Sequence, residues 1–331
     1  MKNEKIIIAG GTGFIGRSVA EYFAPNNEVV ILTRNTPGTN NNAFAAFKVD
    51  EACASNIRLV QWNGNDQGKW ADEMNNASLV INLAGKSVNC RYNKKNKQQI
   101  IDSRVQPTKA IGKAIKQATT PPKLWINAAS ATIYRNATDR PQTEFNGETQ
   151  NDFSVQVCKL WEQTFFEADT PATRKIAFRT AITLGNGGVM VPYLNLLKFG
   201  LGGSQGSGKQ MFSWVHIMDV CRAIDFVFQN EDAKGVYNLS APNPVTNQQF
   251  MQTLRKVTGT FFGLPAYTWM LKIGAAIIGT ETELILKSRW VVPARLLQQD
   301  FQFKYPFLKE ALQNIIQGIP QKKTVFFKVT N

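Results

Sequence analysis

The chain has 331 residues, of which 43% are hydrophobic and 19% charged, so a disordered ensemble is excluded and one or two compact units are expected. Lys and Arg number 38 against 24 Asp and Glu, a formal net charge of +14 that admits nucleic acid, a membrane surface or a polyanionic small molecule as partner. The four cysteines, Cys53, Cys90, Cys158 and Cys221, stand far apart with no C-x-x-C pair, which argues against a zinc site or disulfide framework.

The first predicted element is Ile6 to Ala9, a continuous apolar run of the kind buried on both faces of a parallel sheet. It starts too close to Met1 to leave room for a secretory leader, and a cytoplasmic location is expected. The run leads into Gly10-Gly11-Thr12-Gly13-Phe14-Ile15-Gly16, followed by a helical pattern with Phe14, Ile15, Val19 and Phe23 on one face. In that order, Gly10 permits a tight turn, Gly13 lets a pyrophosphate approach the backbone, and Gly16 lets helix and strand pack closely. The helix amino terminus then offers its free N–H groups to the phosphates.

A second strand, Val29 to Thr33, follows at the spacing of a βαβ unit and ends in Arg34. An NAD site usually carries Asp or Glu there to hold the ribose 2′-hydroxyl. An arginine instead suits a 2′-phosphate, so the cofactor expected is NADP(H), with Thr33 and Arg34 at its adenosine end and Arg17 as a second cationic partner.

Residues 35–56 read as a surface excursion. Further strands are expected at Ile57 to Trp62, Leu79 to Leu83, Leu124 to Ala128 and Lys175 to Arg179, with helices at about 94–118 and 152–168. Strands alternating with helices predict an α/β Rossmann fold, a doubly wound parallel sheet, with a smaller C-terminal substrate-side domain. The nucleotide-binding domain is expected from 1–185 with 214–244. The cap is expected from 186–213 with 245–318, and a tail from 319–331. Trp269 to Gly279, the longest apolar stretch, is too short to span a bilayer and predicts a buried or interfacial helix.

In that order, the glycine turn, Asn82-Leu83-Ala84-Gly85, Ser130-Ala131-Thr132-Ile133-Tyr134 and Trp214-Val215-His216-Ile217-Met218-Asp219-Val220 resemble the extended and atypical short-chain dehydrogenases/reductases. More narrowly, Asp102-Ser103-Arg104-Val105, Cys158-Lys159-Leu160-Trp161-Glu162, Phe199-Gly200-Leu201-Gly202-Gly203 and Val292-Pro293-Ala294-Arg295-Leu296 resemble the NAD-dependent epimerase-like proteins with a DUF1731-type carboxyl-terminal segment, the YfcH-like family. This resemblance covers residues 5 to about 316. It implies that Arg104 helps to bind the cofactor and that Leu83, Ala84 and Gly85 line it. Relatives show Trp-Asp where this chain has Trp62-Asn63, and Asn63 retains the capacity to hydrogen-bond an adenine edge.

The superfamily uses Tyr-x-x-x-Lys on a helix, the Lys holding the nicotinamide ribose while the Tyr exchanges a proton. The alignable residues here are Val155 and Lys159, so the lysine is present and the phenol is missing. The resemblance assigns Ser130 to the catalytic serine. Tyr134 and Cys158 are the candidates to replace the lost phenol. His216, the only histidine, is expected in a structural or substrate-wall role, with Asp219 as the N-cap of the following helix.

Gly203 to Lys209 imitates a Walker A loop, but Gln210 replaces the Ser/Thr that would hold magnesium, and neither a strand nor a helix flanks the run in the required way. The basic run Arg91 to Lys97 reads as a solvated helix start. Neither nucleic acid nor a membrane is therefore an expected partner, and no metal is expected. The leading reading is an NADP(H)-dependent oxidoreductase or epimerase acting on a small polar, sugar-nucleotide or phosphorylated substrate, with a homodimer as the assembly considered. The alternative is a non-catalytic NADP-binding sensor, for which the absent phenol is the argument.

Overall fold

The computed structural model describes residues 1–34, 55–272, 279 and 281–319. The excursion expected at 35–56, the tail from 319 and the second half of the apolar stretch after Trp269 lie almost wholly outside the described residues.

The order of elements begins with β1 (Lys5–Ala9), α1 (Phe14–Phe23), β2 (Glu28–Thr33), β3 (Ile57–Gln61), β4 (Leu79–Asn82), α2 (Lys94–Gln117), β5 (Leu124–Ser130), α3 (Phe153–Glu167) and β6 (Arg174–Thr180). It continues with β7 (Ile182–Leu184), α4 (Met190–Lys198), β8 (Met211–Phe212), β9 (Trp214–His216), α5 (Ile217–Gln229), β10 (Gly235–Leu239), β11 (Val245–Thr246) and α6 (Asn247–Thr258). Three further helices, α7 (Glu283–Leu286), α8 (Ala294–Gln298) and α9 (Leu308–Gln317), follow in the C-terminal region.

Seven strands form one parallel sheet in the order β10-β6-β5-β4-β1-β2-β3. The order reverses between β1 and β4, the position at which doubly wound sheets open a ligand crevice at the carboxyl ends of their strands. The β-branched runs explain why these strands lie inside. In β1, Ile6 and Ile8 enter the core beneath α1 and α5, and Ile7 and Ala9 enter the core beneath α2 and α3. Val29 and Ile31 of β2 alternate with Val30 and Leu32 in the same way, so both faces of the sheet are covered.

A third core joins Leu184, Trp214, Phe250 and Leu312, from β7, β9, α6 and α9. Here β7 pairs with β9 and β8 with β11, apart from the seven-stranded sheet. Among the described residues no helix is long and apolar enough to cross a membrane. Trp269, from the apolar stretch, is largely exposed.

Candidate active site at the switch point

The turn between β1 and α1 is built from glycines with distinct spatial reasons. Gly10 has φ +77°, and a Cβ there would stand 2.8 Å from the Leu83 carbonyl carbon, so the turn is pressed against the end of β4. At Gly16 a Cβ would lie 2.5 Å from the Gly10 carbonyl oxygen. At Gly13, by contrast, it would meet only that same oxygen, at 3.4 Å, and the space beyond is open. Gly13 is also the N-cap of α1, with no side chain capping the helix and no acidic residue in its first turn. An uncapped amino terminus behind an open glycine is what a diphosphate requires, and the turn fits the dinucleotide that the fold implies. Thr12 and Gly13 are exposed on its rim, with Phe14 and Ile15 half-buried behind them.

At the adenosine side, Thr33 is buried at the end of β2 and Arg34, the next residue, is exposed. Among the described residues no acidic side chain follows at this strand end. Asn63 is placed beyond β3, where its Oδ1 accepts the N–H groups of Asn65 and Asp66, both at 2.9 Å, and its Nδ2 donates to Asp66 at 2.8 Å. Its side chain thus shapes its own loop. Arg17 lines a cavity of about 580 Å³ enclosed by α1, α5 and α9, together with His216 and Asn314.

Leu83, Ala84 and Gly85 carry the chain out of β4. The Ala84 N–H donates to the Asn82 Oδ1 at 3.1 Å, and Asn82 in turn donates to Thr108 at 3.0 Å and Asn127 at 2.7 Å. The Trp161 indole N–H reaches the same Thr108 hydroxyl at 3.1 Å. This buried amide network fixes the loop that faces the crevice and was not anticipated from the sequence. Arg104 lies against Gly85, its guanidinium carbon 3.4 Å from where a Cβ would be, and over the Trp161 ring at 5.1 Å. Its Nη1 donates only to the Lys86 and Ile100 carbonyls and the Ser103 hydroxyl. Burial lowers its pKa, and no carboxylate pairs with it among the described residues.

The expected catalytic residues separate in the structure. Ser130 stays at the end of β5, half-buried, with its hydroxyl donating to Thr132 Oγ1 at 3.0 Å and accepting the Thr132 N–H at 3.2 Å. Tyr134 is 2% exposed, and its hydroxyl donates to Asn238 at 2.8 Å while accepting from Arg179 at 2.9 Å. Arg179 is held by two bonds to Glu162, at 2.8 and 2.7 Å. Tyr134 is therefore a clamped core phenol with its pKa raised by burial.

Lys159 is exposed, with no hydrogen bond or ion pair among the described residues, while its neighbour Cys158 is buried. One residue is a rotation of ~100° on a helix. The phase of α3 therefore turns Cys158, rather than Lys159, toward Arg104 and Arg289. Burial pushes the Cys158 thiol up to about 11, which removes it as a thiolate near neutral pH. Val155 is fully buried.

His216, not Asp219, caps α5: its Nδ1 accepts the Met218 N–H at 3.1 Å. Asp219 lies buried in the first turn, accepting the N–H groups of Lys304 at 2.7 Å and Tyr305 at 2.9 Å. Both groups fasten the C-terminal region to α5. Burial lowers the His216 pKa to about 4, so its ring is neutral.

The sequence reading missed two groups. Tyr92, inside the basic run before α2, places its hydroxyl 3.5 Å from Ser154 Oγ on the first turn of α3. Arg289, just after α7, has a buried Nη1 without a hydrogen-bond partner among the described residues, and a pKa lowered by burial.

The model of the NAD dependent epimerase/dehydratase family matches residues 6–156, and that of the domain of unknown function DUF1731 matches residues 268–315. The chain is similar to the epimerase family protein SSP1921 of Staphylococcus saprophyticus, 32% identical over 94% of this chain and 98% of that one. It is also similar to the epimerase family protein YfhF of Bacillus subtilis, 29% identical over 97% and 99% of the two chains. Among solved structures, the human epimerase family protein SDR39U1 with NADPH superposes with a TM-score of 0.79 at 26% identity, covering 95% of this chain and 100% of that chain. These likenesses show that the chain belongs to the NAD dependent epimerase/dehydratase family, in the group with a DUF1731 C-terminal domain.

Proposed function

We propose that the protein is an NADP(H)-dependent oxidoreductase or epimerase that moves a hydride between the nicotinamide and a small polar substrate carrying an anionic group. The observation that carries the cofactor half is the open, uncapped glycine turn at α1 combined with Arg34, a cation, at the end of β2. On this reading Gly10, Gly13 and Gly16 shape the diphosphate cradle, and the N–H groups of Phe14, Ile15 and Gly16 face its charge. Thr33 and Arg34 take the 2′-phosphorylated ribose, with Arg17 in a supporting place, and Leu83 to Gly85 flank the cofactor on the β4 side. Ser130 polarises the reacting carbonyl or hydroxyl.

Arg104 and Arg289 support the anionic substrate. Each is a desolvated guanidinium with no ion pair among the described residues, and both act on the same Cys158 thiol. A buried unpaired cation is costly unless a ligand completes it, which suits a phosphorylated or sugar-nucleotide substrate. The test is fluorescence titration with NADPH and NADH, followed by a screen of phosphorylated and nucleotide-linked carbonyl compounds for NADPH oxidation.

A further inference from the structure

We propose that Tyr92 is the catalytic acid/base of this site, exchanging its phenolic proton with solvent through the Ser154 hydroxyl and the Glu283 carboxylate. The proposal rests on the hydride-transfer reading above and supplies the phenol that neither Val155 nor the clamped Tyr134 provides.

Three contacts hold Tyr92 in place. Its backbone N–H donates to Glu281 Oε1 at 2.9 Å, its ring meets Phe153 edge-on at 5.0 Å, and its hydroxyl faces Ser154 Oγ at 3.5 Å. Ser154 donates onward to Glu283. The three polar groups form an unbroken line from the half-buried phenol to a carboxylate of α7. Ser154 directly precedes Val155, so the line passes through the helix turn from which a superfamily phenol would project. Unlike Tyr134, whose oxygen is saturated by Arg179 and Asn238, the Tyr92 oxygen has one hydrogen-bonding neighbour among the described residues and capacity for another.

The surrounding charge can serve both protonation states. Arg289 lies near the phenol and favours the phenolate, and its Nη1 is unpartnered among the described residues. Glu283 and Cys90 oppose ionisation, and burial holds the resting phenol neutral. In the oxidative direction the substrate C–H bond breaks and its electron pair leaves with the hydrogen to the nicotinamide as hydride. The substrate O–H proton passes to the Tyr92 oxygen while the Tyr92 proton passes to Ser154 and the Ser154 proton to Glu283. The products are a carbonyl, the reduced cofactor and a neutral Glu283, which releases its proton to water. Reduction runs the same transfers backward.

The test uses the full-length protein with Tyr92→Phe, Ser154→Ala, Glu283→Gln and Arg289→Leu. With a carbonyl substrate from the screen, Y92F is expected to lower kcat by about 10²–10⁴-fold while NADPH affinity stays within about twofold of wild type. E283Q is expected to shift the pH profile of kcat. Independently of turnover, the phenolate absorbance of Tyr92, isolated as the wild-type-minus-Y92F difference, is expected to titrate at higher pH in R289L and at lower pH in E283Q. A Y92F enzyme with unchanged kcat, or a Tyr92 titration that neither variant moves, overturns the relay. Failure of the wild type to bind NADPH overturns instead the reading on which it rests.

Discussion

A Cβ on Gly16 would stand 2.5 Å from the carbonyl oxygen of Gly10, a separation that folded backbones do not accept. The neighbour is main chain and cannot swing aside, so Gly16→Ala is expected to cost about 1–3 kcal/mol of stability and to distort the cradle. Gly13→Ala is the contrasting variant, because its Cβ meets only one atom, at 3.4 Å. It is expected to fold with at most ~1 kcal/mol of loss, as expected for an N-cap, yet to lose NADPH binding by roughly tenfold or more, equivalent to ~1.4 kcal/mol. Denaturation midpoints and cofactor titrations on the same two proteins check both outcomes.

Tyr134→Phe removes the hydroxyl that bridges Asn238 and Arg179. The expected cost is about 1–3 kcal/mol, since the buried partners lose a charge-assisted bond. Turnover per folded molecule is expected to remain within a few-fold of wild type. Chemical denaturation and kcat, measured together, separate this clamp from a proton donor.

Asp219 receives two backbone N–H groups from the C-terminal region, at 2.7 and 2.9 Å. Asp219→Ala leaves both donors without that acceptor and is expected to destabilise by about 2–4 kcal/mol, with Asp219→Asn less severe because the amide oxygen still accepts. Protection of the Lys304 and Tyr305 amides from hydrogen exchange is expected to fall in the same variants.

His216 predicts a pH dependence. Its folded pKa is lowered to about 4 from an ordinary 6.5 by burial, with the Lys304 charge as a second cause. Between those values the unfolded chain binds the proton and the folded chain refuses it. Its contribution is therefore fully present above pH 6.5, lost progressively as the pH falls, and exhausted near pH 4. The shift corresponds to ~3 kcal/mol, at 1.36 kcal/mol per pH unit. Against His216→Asn, which also caps but does not titrate, the wild type is expected to lose that much more stability from pH 7 to pH 4, read as the difference between their urea midpoints.

The β1 turn was legible because each of its residues has a local reason to be what it is. Three isoleucines make a buried strand, and Gly16 answers a close approach to Gly10 and Gly11 within a few residues. Helix phase was harder to read. Cys158 and Lys159 are adjacent in α3, and only packing against Arg179 and Thr108, through Glu162 and Trp161, shows which faces inward. The cap of α5 was misread because the carboxylate preference favours Asp219, whereas its partners are at 304 and 305, more than eighty residues away. Tyr92 was hidden by its basic neighbours, and the Ser154 and Glu283 groups that give it meaning come from distant parts of the chain.

The central claim is that Arg34 makes this crevice a site for the 2′-phosphorylated dinucleotide. The most direct measurement titrates wild type and Arg34→Ala with NADPH and with NADH. The account predicts that wild type prefers NADPH by about tenfold or more, a charge-assisted pair being worth at least ~1.4 kcal/mol here, and that the variant loses this preference while its NADH affinity is unchanged. Equal wild-type affinity for the two cofactors, or a variant that keeps the preference, would contradict it.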